Sequence, residues 1–193
     1  MTDTRPIVMV ASSVYGIEEL LNQIYALLVG YGYRVWMSHK GTVPVDSRLS
    51  NFENCLAAVD QCDVFLGLVT GRYGSGRDAG SLSIFHHEVL RAIQQDKLRY
   101  FLTHHDVSLA RTLLQQFRFD KDGNRLPLML RRMTVLDDAR ILDLYDEIIR
   151  DGVPLSERRG NWAQSYFSWA DALLYVDQQF ADPARIRAML SVH

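Results

Sequence analysis

The chain has 193 residues, of which 48% are hydrophobic and 23% are charged, a composition typical of a soluble globular protein with about one domain. Its 21 Lys and Arg residues nearly balance 23 Asp and Glu residues, so we expect neither nonspecific nucleic-acid binding nor attraction to an anionic membrane. No apolar run approaches the ~20 residues that span a bilayer, and the first six residues lack the apolar segment of a signal peptide.

The first half of the chain alternates short apolar runs with helical patterns, which predicts βαβ units and a parallel sheet. We predict strands at residues 7–11, 33–37, 63–69 and 99–103. Between them, apolar residues recur at helical spacing from Ile17, after Ser50, which can cap a helix, and around Phe85. Cys55 and Cys62 share one face of the second helix, so we interpret them as small core residues and not as a disulfide. This usage favours a reducing, cytoplasmic setting.

The second half of the chain is less regular. We predict a helix at residues 108–117, a last strand at 133–136, and a helix that Asp137 caps and Gly152 ends. Asp182 and Pro183 begin a short final helix. Between these helices, six apolar residues recur in steps of four and three, as on one long helix: Trp162, Tyr166, Trp169, Leu173, Val176 and Phe180. We interpret this stripe as packing on the domain's own core, with a dimer seam as the alternative.

These elements predict an α/β fold with three layers, in which helices cover both faces of a parallel sheet. We assign residues 1–136 to an α/β domain and residues 137–193 to a C-terminal helical extension packed on the same domain. Ligands of such sheets bind at the carboxyl ends of the strands, and the loops there are residues 12–16, 38–41, 70–83 and 104–106. Their hydroxyls, imidazoles and an Arg suit ribose and phosphate oxygens, although ordinary polar loops are the alternative interpretation.

Glu88 is the residue that points most directly to chemistry. It lies at the border of the apolar stripe formed by Phe85, Val89 and Ala92, within two turns of the helix start. A carboxylate there would be partly desolvated and would face the cleft. It could stabilise an oxocarbenium ion at a ribose C1′ or attack that carbon as a nucleophile. The alternative is a solvated surface Glu near a helix N-terminus.

Other motifs near Glu88 predict neither a metal site nor a standard nucleotide loop. His86 and His87 point about 100° apart on a helix, so they cannot chelate one ion as an i, i+4 pair can. The glycine-rich loop at residues 74–80 departs from dinucleotide and Walker-A spacing. We interpret it as a lid or a nest of backbone N–H groups, and we predict no metal ion.

Several motifs, taken in order, resemble those of a TIR-like group of bacterial domains catalogued as domain of unknown function 4062. The resemblance covers roughly residues 7–105. It rests on Val8-Met9-Val10-Ala11-Ser12-Ser13-Val14, Cys62-Asp63-Val64-Phe65-Leu66-Gly67, Arg72-Tyr73-Gly74, Ser83 and Glu88. It implies a flavodoxin-like sheet and similarity to two enzyme classes. TIR domains cleave NAD at the nicotinamide–ribose bond, and nucleoside deoxyribosyltransferases cleave the N-glycosidic bond of deoxynucleosides.

Both enzyme classes carry an essential Glu on the helix that Glu88 matches, and Ser83 resembles the Ser that opens the TIR catalytic helix. The resemblance makes Glu88 the catalytic candidate, with Ser12, Ser13 and Arg72 holding ribose and phosphates and Tyr73 or Phe85 stacking on a ring. The Trp that many TIR enzymes place before this Glu is missing, as is the Asp-Ser-Gly-Thr run of the transferases. The complete set of predicted substrate-binding residues is Ser12, Ser13, Tyr15, His39, Arg72, Tyr73, Gly74, Ser83 and Phe85.

The resemblance implies an NAD glycohydrolase or ADP-ribosyl cyclase that makes a nucleotide signal or depletes NAD, in bacterial antiphage defence. NAD would be the substrate, and no cofactor is expected. NAD or an ADP-ribose-like nucleotide is the expected small-molecule partner, and a second copy of the chain and a downstream effector protein are further candidates. The alternatives are a deoxyribosyltransferase-like N-glycosidase and a non-catalytic module that senses nucleotides or binds a protein.

Overall fold

The computed structural model describes residues 4–74, 82–128 and 134–192, which form an α/β fold around one five-stranded, all-parallel sheet. The strand order β2-β1-β3-β4-β5 is that of flavodoxin-like folds, so the predicted fold class is confirmed. The strands are β1 Ile7–Ser12, β2 Arg34–Trp36, β3 Val64–Val69, β4 Leu98–His104 and β5 Asn161–Tyr166.

Helices cover both faces of the sheet and bury its apolar side chains in two layers. One layer contains Leu20, Val176 and Ile186 from α1, α6 and α7. The other contains side chains of α2, α3, α4 and α5, among them Val89 and Ile141. The helices are α1 Glu18–Gly30, α2 Asn51–Gln61, α3 Ile84–Gln94, α4 His105–Arg118, α5 Arg140–Ile149, α6 Trp169–Phe180 and α7 Pro183–Leu190.

The central strand β3 is covered on both faces of the sheet. All six of its residues are buried, as expected of a strand with helices on both faces. At Gly67 a Cβ atom would lie 2.7 Å from Phe101 Cδ1 on β4, so the absence of a side chain lets the Phe101 ring lie across β3. Cys55 and Cys62 are buried and free, in agreement with their interpretation as core residues.

The second half of the chain corrects two predictions. Residues 134–136 form no strand, and Met133 lies outside the described residues. The fifth strand is β5, which we predicted as the first part of one long helix. The predicted stripe is therefore divided between β5 and α6, which a capping box formed by Ser168 and Asp171 begins. The part on α6 packs on the core, as predicted, since Val176 and Phe180 are fully buried. The C-terminal extension thus supplies a strand as well as helices.

The structure confirms two of the predicted helix starts and corrects a third. Ser50 caps α2 in a capping box with Glu53, and Asp182 caps α7 with Pro183 in its first turn, both as predicted. Asp137 does not cap α5, which begins at Arg140 after Ala139. Asp137 Oδ1 instead accepts a hydrogen bond of 2.8 Å from the Tyr73 backbone N–H. Within the described ranges, no helix is both long and apolar enough to cross a bilayer.

Candidate functional site

A cavity of about 360 Å³ opens at the carboxyl ends of β1 and β2. The chain runs from β1 outward to β2 and then back to β3 on the other side of β1, and this reversal creates the crevice in which open α/β sheets bind ligands. The polar or titratable side chains that line the cavity come from the β1–α1 loop, α1, the residues after β2, α2 and α3: Ser12, Ser13, Tyr15, Glu18, Ser38, His39, Asn51, Cys55 and Glu88.

Glu88 lines this cavity from the second turn of α3 and is only 5% exposed. The interpretation as a solvated surface Glu is therefore wrong. Burial removes water from the carboxylate and raises the pKa of Glu88 to about 8, because charge is costly in a weakly polar environment. Among the described residues, no Lys, Arg or His forms an ion pair with Glu88. Its catalytic role stays a prediction.

Cys55 lies beside Glu88 in the lining of the cavity, and its thiol lowers the pKa of Glu88 against the larger effect of burial. Cys55 lies on α2, is buried, and lines the cavity. Burial and then the Glu88 charge raise the pKa of Cys55 to about 12. The thiol is therefore protonated at neutral pH.

The end of β1 and Gly74 also line the cavity. Ser13 Oγ donates a hydrogen bond of 2.6 Å to the Arg72 carbonyl oxygen, which ties the end of β1 to the segment after β3. Gly74 has a φ of +88°, and a Cβ there would lie 3.3 Å from Ser13 Cβ. Glycine lets the backbone adopt this conformation beside Ser13. Ser12 is half-buried at the end of β1, and its side chain also lines the cavity.

Three more predicted residues line the cavity, and they differ in exposure. Tyr15 is 66% exposed and lies at the opening, together with exposed His39. Phe85 is buried and belongs to the core layer of α3, so it presents an apolar surface to the cavity. The structure therefore brings seven predicted residues together: Ser12, Ser13, Tyr15, His39, Gly74, Phe85 and Glu88.

Three predicted substrate-binding residues do not line the cavity. Tyr73 is almost fully buried, its hydroxyl is 2.7 Å from His86 Nδ1, and the Arg140 guanidinium carbon lies 4.7 Å from its ring centroid. Tyr73 thus lies in the core and not in the cavity lining, and stacking of Tyr73 on a substrate ring stays a prediction. Ser83 is buried and caps α3 by accepting from the His86 backbone N–H. Arg72 is exposed outside the cavity.

Glu18, Asn51 and Cys55 line the cavity but were not predicted as site residues. Glu18 opens α1, the helix that follows β1, so its place at the carboxyl edge of the sheet could have been inferred from the strand prediction. Asn51 and Cys55 belong to α2, whose position depends on the irregular connection of residues 37–50. The sequence carries no periodic signal for the path of that connection.

The structure also places the histidines. His86 is buried and neutral at ordinary pH, since burial lowers its pKa to about 4. The His105 ring stacks on Phe167 with centroids 4.0 Å apart, outside the cavity. Across residues 4–74, 82–128 and 134–192, no group of three or more His, Cys, Asp or Glu side chains could hold a metal ion. The glycine-rich loop was predicted at residues 74–80, and of these residues 75–80 lie outside the described residues.

Comparison with known proteins identifies the family. A search of curated proteins finds no match. Among solved structures, the chain is similar to a conserved protein from Enterococcus faecalis V583, with a TM-score of 0.44 and 11% identity, over 91% of this chain and 99% of that chain. The sequence model described as domain of unknown function (DUF4062) matches residues 7–135, which is more than half of the chain. The chain therefore belongs to the DUF4062 family, the group that its motifs resemble.

Proposed function

We propose that this chain is a TIR-like N-glycosidase that cleaves the nicotinamide–ribose bond of NAD, with Glu88 as the catalytic carboxylate. One observation carries the proposal. A buried carboxylate that no described cation neutralises lies in a cavity at the ligand-binding edge of a parallel sheet. Buried acidic groups are rarely left without a cationic partner, and strongly perturbed groups in a cleft mark functional sites.

NAD carries the positive charge that the described lining of the cavity does not supply to Glu88, because that lining contains no Lys or Arg. The nicotinamide ring of NAD is a pyridinium cation bonded through nitrogen to ribose C1′. When the C1′–N bond breaks, the electron pair leaves with neutral nicotinamide and the positive charge moves to C1′ and the ring oxygen. A carboxylate beside C1′ stabilises this oxocarbenium ion more strongly in a water-poor cavity than in solution. Water attacking C1′ gives ADP-ribose and a proton, and an adenine nitrogen attacking gives the cyclic product.

The residues that line the cavity provide groups for the nicotinamide ring and for the ribose. Phe85 provides an apolar surface for the nicotinamide ring. Ser12, His39 and Asn51 provide hydroxyl, imidazole and amide groups for the ribose hydroxyls. The cavity volume of about 360 Å³ is at the small end of the roughly 300–1,000 Å³ typical of ligand sites. It therefore suits the nicotinamide riboside half, and the phosphates would extend past the opening toward exposed Arg72.

The resemblance to TIR-like domains supports the cellular part of the proposal. The product would be a nucleotide signal, or NAD would be depleted, in cytoplasmic antiphage defence. A second copy of the chain or a downstream effector protein would be its partner.

The direct test is nicotinamide release from NAD, measured by chromatography, for the wild type and Glu88→Gln. We expect the amide to reduce the rate by about 100-fold or more, as for other lost transition-state charges. Glu147→Gln is the matched control, because Glu147 is exposed on α5, away from the cavity. The NAD content of cells that express each variant gives the same comparison in a setting that can contain an activating partner. Equal nicotinamide release from wild type and Glu88→Gln would remove Glu88 from the mechanism.

One observation favours a nucleoside N-glycosidase related to deoxyribosyltransferases as the second candidate. The described lining contains Glu18 and Glu88 but no Lys or Arg, which suits a nucleoside without phosphates. In that reaction Glu88 would attack C1′ and form a glycosyl ester as the base leaves. Mass spectrometry of protein quenched during turnover of a deoxynucleoside would detect this ester on Glu88. Thermal stabilisation by nucleotides without any turnover would instead support a binding module.

A further inference from the structure

We propose that Glu18 is a second catalytic residue: as a general base, it takes the proton from the water that attacks ribose C1′. This inference rests on the N-glycosidase function proposed above and concerns the step that follows the release of nicotinamide. Glu88 stabilises the ribosyl cation, and Glu18 activates the water. Inverting glycosidases divide the work of two carboxyl groups in a similar way, because one of them activates a water on the face of the sugar ring opposite the leaving group.

The two carboxylates reach the same cavity from opposite faces of the sheet. β1 and β3 are neighbouring parallel strands, and the helices that follow them, α1 and α3, begin at the same carboxyl edge. The two helices pack on opposite faces, α1 in the layer of Leu20 and α3 in the layer of Val89. Glu18 is the first residue of α1, and Glu88 lies in the second turn of α3. Since both line the cavity, a ribose bound between them presents a different side to each carboxylate.

The two carboxylates also differ in their contact with water, and the difference suits different roles. Glu88 is buried, whereas Glu18 is exposed. Two acidic groups of one site that lie in different environments can take separate acid–base roles. An exposed carboxylate meets the incoming water and can pass a proton on to the bulk solvent. The cavity of about 360 Å³ has room for a ribose and a water between the two groups, since a water occupies about 30 Å³.

A hydrogen bond in the turn between β1 and α1 orients the Glu18 carboxylate. Its Oε2 accepts from the Gly16 backbone N–H over 3.0 Å. Gly16 has a φ of +85°, a conformation that glycine adopts without strain. The bond engages Oε2, and Oε1 is the atom that accepts the proton from the water. A base held in one orientation is what proton transfer within a site requires.

Tyr15 and His39 are the other exposed titratable side chains in the lining of the cavity. A Tyr hydroxyl carries its proton at neutral pH and is not a base there. His39 follows β2, which is an edge strand, whereas Glu18 follows β1, which pairs directly with the strand before α3. Glu18 is therefore the better placed of the two bases, and His39 is the alternative that the test includes.

Hydrolysis needs a base, whereas two competing reactions of the same ribosyl cation do not. The C1′–N bond breaks with its electron pair on nicotinamide, the water oxygen bonds to C1′, and the water proton moves to Glu18 and then to solvent. Nicotinamide can bond to C1′ again through the lone pair of its ring nitrogen, and azide can bond to C1′ as an anion. Neither of these nucleophiles has a proton to lose, so loss of the base should slow hydrolysis alone.

The test supplies the protein with NAD and isotopically labelled nicotinamide and, in a parallel reaction, with NAD and azide. Chromatography with mass spectrometry measures ADP-ribose, labelled NAD and ADP-ribosyl azide. We expect Glu18→Gln to slow ADP-ribose formation by about 100-fold, while labelled NAD or the azide product still forms at the wild-type rate. Gln keeps an oxygen that can accept from Gly16. Glu19→Gln is the matched control, because Glu19 is the exposed neighbour on α1 and bonds to Asn22 and Gln23 outside the cavity lining.

The ratio of either competing product to ADP-ribose decides the inference. If Glu18→Gln raises neither ratio, because all products fall together or none changes, Glu18 is not the base and the inference is overturned. The same holds if His39→Gln raises a ratio and Glu18→Gln does not. These outcomes leave the proposed function in place. If the wild type releases no nicotinamide from NAD, either purified or in cells, the proposed function itself fails, and this inference fails with it.

Discussion

Replacing Glu88 by Gln should stabilise the folded chain at neutral and alkaline pH while it removes activity. The folded state holds a proton on Glu88 that the unfolded state releases, because the pKa is about 8 in the folded chain against 4.5 for an ordinary Glu. Raising the pH through this window therefore favours unfolding. Gln fills the same volume and has no proton to lose, so the variant escapes this destabilisation.

The size of the effect follows from the two pKa values. With about 1.4 kcal/mol per pKa unit, the ionisation of Glu88 lowers the free energy of unfolding by about 3 kcal/mol at pH 7 and approaches about 5 kcal/mol well above pH 8. The gap between Glu88→Gln and wild type should widen by about 2 kcal/mol from about pH 6.5 to 8.5. The cost of burying the Gln amide does not depend on pH, so it is the same at both pH values and cancels from the change in the gap.

Urea unfolding of both proteins at several pH values within that window measures the gap. The window avoids two other groups, since His86 titrates at lower pH and the cysteines at higher pH. Both proteins contain these groups, so their contributions also cancel in the difference. Parallel stability curves for the two proteins would show that Glu88 is solvated or paired with a cation, and the electrostatic argument for the site would then be refuted.

Three further predictions concern the elements that support the cavity. Gly74→Ala should destabilise the chain by roughly 1–2 kcal/mol, because its φ is +88° and the new methyl would meet Ser13; thermal unfolding measures this. Ser50→Ala and Ser168→Ala each remove a capping box and should each lower the free energy of unfolding by about 1 kcal/mol. Only Ser50→Ala, at the start of α2, should also change the pH profile of cleavage, because α2 lines the cavity. His86 has a lowered pKa of about 4, so its contribution to stability should be lost as pH falls from about 6.5 to 4, and urea unfolding of His86→Gln should lack that loss.

The sequence predicts a strand of the sheet well where a single hydrophobic pattern dominates its residues. The run at residues 64–69 is continuously apolar, and β3 is correspondingly buried on both faces. The error at β5 has a physical cause. Trp162 and Tyr166 are four residues apart, and that spacing puts two side chains on one face of a strand as well as on one face of a helix. Ser168 and Asp171 form the capping box that separates the two elements, so this local signal was present and outweighed by the apolar pattern.

The candidate site was predictable where a residue's position follows from its own helix or strand. Glu88 lies at the border of the α3 stripe and near the carboxyl edge, and the structure places it there. Its deeper burial depends on how α2 packs on α3, which is a tertiary property. Tyr73 shows the same limit, since its inward direction depends on His86 and on Arg140, which lies 67 positions further along the chain.

The cost of Glu88 also bears on the kind of ligand that would use it. About 5 kcal/mol is comparable with the lower end of the roughly 5–15 kcal/mol that stabilises a typical domain. A bound cation would relieve that cost, and a pyridinium nucleotide is cationic before the bond breaks. During cleavage the positive charge moves from the ring nitrogen toward C1′, so a carboxylate beside C1′ gains more in the transition state than in the ground state. In the proposed reaction ADP-ribose would leave no cation next to Glu88, and the carboxylate would then take up a proton again and cease to favour the bound product.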